Sequence, residues 1–225
     1  MLEQGLGWHG ARIDLLARLI CALFQVKTVN LAQLATALSG RARLEAHYQR
    51  LQRFFRGFDL DDATLARLRV SLLPAEAGPW VLTLDRTPWQ FGRVDINLLV
   101  LGIVWRGVTW PVLWTVLEKR GNSNTAERIA SMERFLAVFG RERIAHLLAD
   151  REFVGRAWLG YLQAQGIGFR LRIEQDTRIA NAQGRPVPAW RLFCDLTPQT
   201  PRGAGPAPGV GPAAGGGRCE ARSGR

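Results

Sequence analysis

The chain has 225 residues, 47% hydrophobic and 22% charged, a globular composition with length for one sizeable core and a small appended domain. Its formal net charge of +11 points to an anionic partner, nucleic acid being the commonest; the alternative is a soluble basic protein with no nucleic-acid role. Cys21, Cys194 and Cys219 are far apart and form no CxxC or Cys/His spacing, which argues against a zinc site or a disulfide framework and fits a reducing, cytoplasmic, nucleoid-associated setting.

All but Lys27 and Lys119 of the 30 basic residues are arginine. GC-rich coding produces the same bias, so arginine number alone carries little. The opening MLEQGLGWHG has an early acid and no apolar core, unlike a secretory signal. The long apolar stretch from Ile96 to Leu117 is broken by Asn97 and Arg106, so it reads as two strands and no membrane partner is expected.

Residues 1–75 read as helical and DNA-binding. Ile13, Leu16, Ala17, Ile20, Leu23 and Phe24 recur at helical spacing. Asn30 with Gln33 resembles a capping box, and Gly40 is placed to stop that second helix. A third helix follows, with Leu44, Tyr48, Leu51, Phe55 and Phe58 alternating four and three apart; Asp59 or Asp61 caps a fourth, which Pro74 ends. The third helix carries Arg43, Gln49, Arg50, Arg53 and Arg56, with Arg41 just before it. Either this is the second helix of a helix-turn-helix, which enters the major groove, or it is the solvated basic face of a bundle helix.

Ala75 to Pro79 is a hinge candidate, and the periodicity then changes. Trp80–Asp85 reads as a strand. Ile96–Trp105 and Val108–Leu117 read as a hairpin turning at Arg106–Gly107. A helix starting at Ser123 or Asn124 runs to about Phe139 on a stripe of Ile129, Met132, Phe135, Leu136 and Phe139, and Gly140 ends it. Strand Ile144–Ala149, helix Gly155–Gln165 and strand Ile167–Ile173 complete the region. An antiparallel meander feeding a parallel alternation is the element order of a ribonuclease-H-like α/β fold, here residues 80–176. In that fold the first and fourth strands are neighbours, which would bring Asp85 and Asp150 together. Asp95 reads as a loop residue, Asp176 and Asp195 as surface or turn residues, and Glu118, Glu127 and Glu133 as members of exposed faces. His9, His47 and His146 are scattered and fit core or surface roles. Residues 177–197 begin a separate segment, and residues 198–225, rich in Gly, Pro, Ala and Arg, read as a disordered tail.

Asp85 and Asp150 each follow an apolar run and each precede an arginine. Two carboxylates on adjacent strands can share one or two Mg²⁺ or Mn²⁺ ions about 4 Å apart and so serve phosphoryl transfer. The alternative is two strand-end aspartates paired with Arg86 or Arg151, or capping the next segment.

The runs LDRTPWQFG, INLLVLGIVWRGVTWPVLWTVLEKRGNSNTAERIASMERF and LLADREFVG resemble the bacterial insertion-sequence-four family of DDE transposases from about Trp80 to Ile173. RLQRFFRGF in the N-terminal helices extends the likeness more loosely. Asp85 with Thr87 resembles the family's Asp-x-Thr element, and Asp150 with Arg151 and Phe153 its Asp-Arg-Glu-Phe element, so both aspartates are implied to be catalytic and metal-binding. The resemblance implies a ribonuclease-H-like fold and metal-dependent cleavage and strand transfer at terminal inverted repeats. It also implies double-stranded DNA as partner, both repeats and target, and two protomers acting on paired ends. Trp89 and Arg151 lie beside the aspartates; Arg151 is counted with the DNA-binding candidates, and Trp89 is assigned no role. The family's third catalytic residue is a glutamate in a Tyr-x-x-Arg-x-x-x-Glu segment beyond a β-rich insertion. Here RIANAQGRPVPAWRLFCDLTP resembles the start of that insertion, and the likeness stops near Pro198. Glu220, in the low-complexity tail, cannot stand in for it. A frameshift or truncation there would leave an incomplete fold and an inactive or impaired transposase; the alternative is a non-catalytic DNA-binding regulator of an intact one. Downstream DNA read in the other two frames should then encode the missing pattern.

Overall fold

The computed structural model describes residues 6–38, 40, 42–58, 61–74 and 78–194. Arg41, Asp59, residues 75–77 of the hinge candidate, Asp195 and the whole 198–225 tail therefore lie outside the described residues. The chain divides into two compact units, Met1–Leu72 and Leu73–Arg225.

The first unit holds α1 (Gly10–Val26), α2 (Leu31–Ala37), α3 (Leu44–Arg56) and α4 (Asp62–Ser71). Lys27 closes α1 in the left-handed region at φ 52°, its amide bonded to the Leu23 carbonyl. Asn30 caps α2, its Oδ1 accepting from the amides of Ala32 and Gln33. The capping box expected there does not form: the Asn30 amide donates to Thr28 Oγ1 instead. Asp61 caps α4, accepting from both the hydroxyl and the amide of Thr64 at 2.8 Å. Those two bonds hold its carboxyl below the usual carboxylate range.

The core of this unit is Leu15, Leu19, Ala22, Leu34, Ala35, Leu38, Leu51 and Phe54. Two expected stripes are rotated from that. On α1 the buried positions are Ile13, Leu15, Leu19 and Ala22, while Ile20 and Phe24 are exposed. On α3 they are His47, Leu51 and Phe54, and Leu44, Phe55 and Phe58 are exposed. Trp8 selects Phe54 by packing edge-on against it and against Phe58.

The second unit is built on a five-stranded sheet. Its strands are β1 (Trp80–Phe91), β2 (Val94–Trp105), β3 (Val108–Leu117), β4 (Ile144–Ala149) and β5 (Phe169–Leu171), in spatial order β3-β2-β1-β4-β5. The first three pair antiparallel; β4 runs parallel to β1, and β5 parallel to β4. Helix α5 (Thr125–Phe139) crosses from β3 to β4, and α6 (Arg156–Ala164) from β4 to β5. This is the mixed ribonuclease-H-like sheet. Both crossovers step the same way across the sheet, so right-handedness puts both helices on one face.

That face is the core. Leu82, Leu84, Leu99, Leu101, Ile103 and Leu147 are at most 2% exposed, under Met132 and Phe135 of α5 and Trp158 and Leu162 of α6. Trp80 packs edge-on against Phe135 and Phe139. The intervening residues, Val81, Thr83, Val100, His146 and Leu148, are half-buried on the other face. Burial pushes the His146 imidazole pKa down, and the Arg170 guanidinium adds to that. The folded state therefore favours neutral His146. Its contribution is complete above the ordinary imidazole value of 6.5 and is lost as pH falls below that. The fall in melting temperature between pH 7.5 and 5.5 should accordingly be shallower in His146→Gln than in the wild type.

Three strand boundaries differ from expectation. β1 continues six residues past Asp85, because a two-residue turn at Gly92–Arg93 pairs Phe91 with Val94 and holds the Thr-Pro-Trp segment extended. Past Leu84 it is an edge strand on its β4 side, where Pro88 is tolerated. β2 starts at Val94, which makes Asp95 a strand residue. β5 keeps only Phe169–Leu171. Beyond it, β6 (Arg178–Ala180) and β7 (Pro186–Pro188) form a two-stranded antiparallel ribbon followed by α7 (Ala189–Phe193).

Candidate metal and nucleic-acid site

Asp85 sits within β1, and its neighbour across the sheet is fixed by register. The β1–β4 pairing ends at Leu84 with Ala149. Asp85 and Asp150 are the next residues along these two parallel strands, one step beyond the last paired positions. Asp85 is exposed and Asp150 half-buried. Each spends Oδ1 on the amide that follows it, Arg86 for Asp85 and Arg151 for Asp150, both at 2.8 Å. Asp150 Oδ1 also lies 3.5 Å from the Arg172 guanidinium. Of the alternatives drawn from sequence, the side-chain pairing with Arg86 or Arg151 does not form, while capping of the next segment does: Asp150 caps the 3-10 turn Arg151–Phe153. Arg86 turns to Glu152, and Arg151 lies 3.5 Å from Glu174 in an exposed pair.

These oxygens suit a hard divalent cation. Mg²⁺ is commonly held by one or two carboxylates together with waters and substrate phosphate oxygens. Two adjacent carboxylates beside an open face fit that mode. Among the described residues no group of three or more His, Cys, Asp or Glu side chains is placed to hold a metal ion.

Behind the aspartates lies a network that the sequence did not reveal. Arg86 donates from Nε and Nη2 to the Glu152 carboxylate at 3.3–3.4 Å and from Nη1 to Asn97 Oδ1 at 3.4 Å. Asn97, 5% exposed, donates to the carbonyls of Lys119 and Gly121, both at 2.9 Å. Arg128, 6% exposed, donates to Ser123 Oγ, to the Ser123 carbonyl and to the Glu152 carbonyl, and its guanidinium lies over the Phe153 ring. Burial pushes its pKa down, and Glu152 and Glu127 partly restore it. The segments DR, GNSNT, ER and DREF are thus tied into one frame under the aspartates. Glu127, expected on an exposed face, closes a capping box with Asn124 at the start of α5. Burial pushes its carboxyl up, but the Asn124 amide and Lys119 outweigh this and hold it below the usual range.

Glu152→Ala should cost about 2 kcal/mol in urea unfolding. The Arg86–Glu152 side chains are 18% and 21% exposed, between the buried and surface limits, and the loss leaves Arg86 with Asn97 alone.

The arginines of the first unit are placed as follows. Arg43 precedes α3, with no side-chain cap bond. Arg50 is half-buried, and Arg53 and Arg56 are exposed. The three are successive i+3 neighbours, forming one row on α3. The Leu38–Arg43 connection between α2 and α3 is longer than the three- or four-residue turn of a helix-turn-helix. The short connection with a sharp turn lies one helix earlier: α1 and α2 bend by 103° across a four-residue break. Among the described residues no single helix is long and apolar enough to cross a membrane.

No protein-family profile matches the sequence, and no curated protein matches it. Among solved structures, the chain is similar to the HTLV-2 integrase catalytic core domain in complex with magnesium. The dimeric form aligns at 14% identity over 42% of this chain and 62% of that one, with a TM-score of 0.34. The trimeric form gives 14%, 42%, 61% and 0.33. The simian T-cell lymphotropic virus intasome in complex with PP2A regulatory subunit B56 gamma aligns at 18% identity over 64% of this chain and 47% of that one, at 0.35. The chain spans about three-fifths of the length of the HTLV-2 cores it matches. Strand order and register define the fold.

Proposed function

We propose that this chain is a DNA transposase of the insertion-sequence-four type, acting on phosphodiester bonds at the terminal inverted repeats of its element. The observation that supports the reading is the parallel register of β1 with β4, which ends at Leu84 with Ala149, one residue short of Asp85 and Asp150. In this reading both aspartates are catalytic and hold Mg²⁺ or Mn²⁺. A cation held by Asp85 and Asp150 would supply activation of an attacking water or 3′-hydroxyl and neutralisation of charge on the phosphate. The aspartates themselves fix the position of that cation, and the Arg86–Glu152–Arg128 frame fixes the aspartates. Arg43, Arg50, Arg53, Arg56 and Arg151, with Arg41, supply positive charge for the DNA backbone. Two protomers act on paired ends.

In this reading Asp85 and Asp150 are two of the three carboxylates that the resemblance implies, and the likeness stops near Pro198, before the segment of the third, so we propose that cleavage by this chain is impaired. The same observation favours a second reading, a non-catalytic protein that occupies element ends and inhibits an intact transposase. The test is incubation with DNA bearing the element's own inverted repeats and Mg²⁺ or Mn²⁺. Slow, metal-dependent nicking at the repeat ends supports the transposase. Specific binding with no nicking supports the regulator. Absence of sequence-specific binding sinks both.

A further inference from the structure

The β1–β2 hairpin outruns the sheet on both sides. β1 loses β4 after Leu84, and β2 has no β3 partner beyond Asn97. The pairs Trp89–Ile96, Gln90–Asp95 and Phe91–Val94 belong to these two strands alone, closed by the Gly92–Arg93 turn. The projecting piece is thus a two-stranded ribbon about 10 Å long, its strands about 4.8 Å apart. Solvent-facing ribbon tips are normally polar. This one exposes Trp89 to 55% and Val94 to 61%. Alternation along β1 puts Trp89 on the same face as Asp85 and Thr87. Arg93 sits exposed at the tip. Beside the ribbon, Arg120 pairs with Asp95 at 87% and 37% side-chain exposure. A pair so exposed contributes little, so this cation can be given up to a phosphate at small cost.

We infer that the Trp89–Asp95 ribbon is a DNA-contacting arm that enters the major groove of duplex DNA next to the Asp85–Asp150 site. The groove, about 12 Å wide and 8.5 Å deep, admits a two-stranded ribbon of these dimensions. Trp89 and Val94 offer apolar contact to base edges and thymine methyls. Arg93 and Arg120 lie at the height of the phosphates. The partner is duplex DNA, chosen over an apolar protein surface because cations flank the exposed aromatic and the whole chain carries +11. This rests on the proposed function and adds to it: the catalytic unit grips DNA by itself, apart from the arginines of α3.

The test uses the full chain and a 40-base-pair mixed-sequence duplex, with affinity measured from ~50 to ~200 mM salt. Arg93→Ala should lower the slope of log K against log salt by about 0.9, the value for one lost phosphate contact. Trp89→Ala should weaken binding about tenfold with the slope unchanged, since an apolar contact releases no counterion. Both effects should persist in a background of Arg50→Ala, Arg53→Ala and Arg56→Ala. Melting temperatures are measured alongside, so that affinity lost at an unchanged melting temperature reads on the DNA contact and not on folding. Unchanged affinity and slope in both variants, with duplex binding intact, would overturn the arm and leave the proposed function standing. Failure of the wild-type chain to bind any duplex would overturn the proposed function and the arm with it.

Discussion

Asp85→Asn is expected to cut metal-dependent strand nicking by on the order of a hundredfold or more while leaving the fold and DNA binding in place. Asparagine keeps the shape of the side chain and an oxygen for the Arg86 amide, so the local hydrogen bond survives. What it loses is one negative charge beside Asp150. That charge is needed only when a cation is present. Without metal, two adjacent carboxylates repel each other and repel an approaching phosphate. Two signs therefore separate a metal site from a pair of surface aspartates. In metal-free buffer, Asp85→Asn should bind duplex DNA slightly more tightly than wild type and melt no lower. With Mn²⁺ present, the ordering should reverse. A Mn²⁺ titration of the DNA complex, followed by electron paramagnetic resonance, should show the midpoint moved up at least tenfold. Asp150→Asn should behave alike, the exposed contact with Arg172 adding little. Equal metal response in wild type and both variants would remove the aspartates from the site.

The placing of β1 beside β4 was legible in the sequence because topology is a coarse property. Three strands, a helix, a strand, a helix and a strand is the element order of a ribonuclease-H-like sheet, in which the first strand lies beside the fourth, and right-handed crossovers prune the alternatives. Finer features failed where several physical solutions share one pattern. In α1, adjacent apolar pairs such as Leu15–Leu16, Leu19–Ile20 and Leu23–Phe24 allow two faces, and only packing against α2 and α3 chooses Leu15 and Leu19. In α3, Phe54 and Phe55 offer the same choice, which Trp8 decides. The segment Asp85–Pro88 carries turn-forming residues, but the hairpin partner holds it in the sheet. The Arg86–Glu152–Arg128 frame joins residues that locally look like ordinary surface charges. Arg128 is buried only because Ser123 and Glu152, from two other segments, converge on it. A hidden network of this kind leaves no periodicity to read.

Gly102→Val should be the most damaging substitution at a residue that bonds to nothing through its side chain. Gly102 sits mid-strand in β2, where glycine normally weakens a sheet. Its neighbours explain it. The β2–β3 register shifts between Leu101 and Gly102, so β3 carries an extra residue there. That bulge drives the chain of β3 towards Gly102. A Cβ on residue 102 would lie 2.5 Å from Thr109 Cγ2 and 2.8 Å from the Trp110 carbonyl oxygen. The threonine methyl could rotate aside, at the cost of the 3.3 Å contact between Thr109 Oγ1 and Thr83 Oγ1. The carbonyl belongs to the paired backbone and cannot move without breaking the ladder. Valine adds two methyls to the same space. Overpacking of this kind costs about 3 kcal/mol, which lowers the melting temperature on the order of 10 °C in a unit of this size. The consequence reaches the site, because Gly102 pairs with Thr83, two residues before Asp85 on the same face. Gly102→Ala should lose less stability than Gly102→Val, yet it too should raise the Mn²⁺ midpoint, by shifting β1 against β4. A surface substitution of equal stability cost in α6 should leave that midpoint alone, and the comparison separates displacement of the aspartates from simple unfolding.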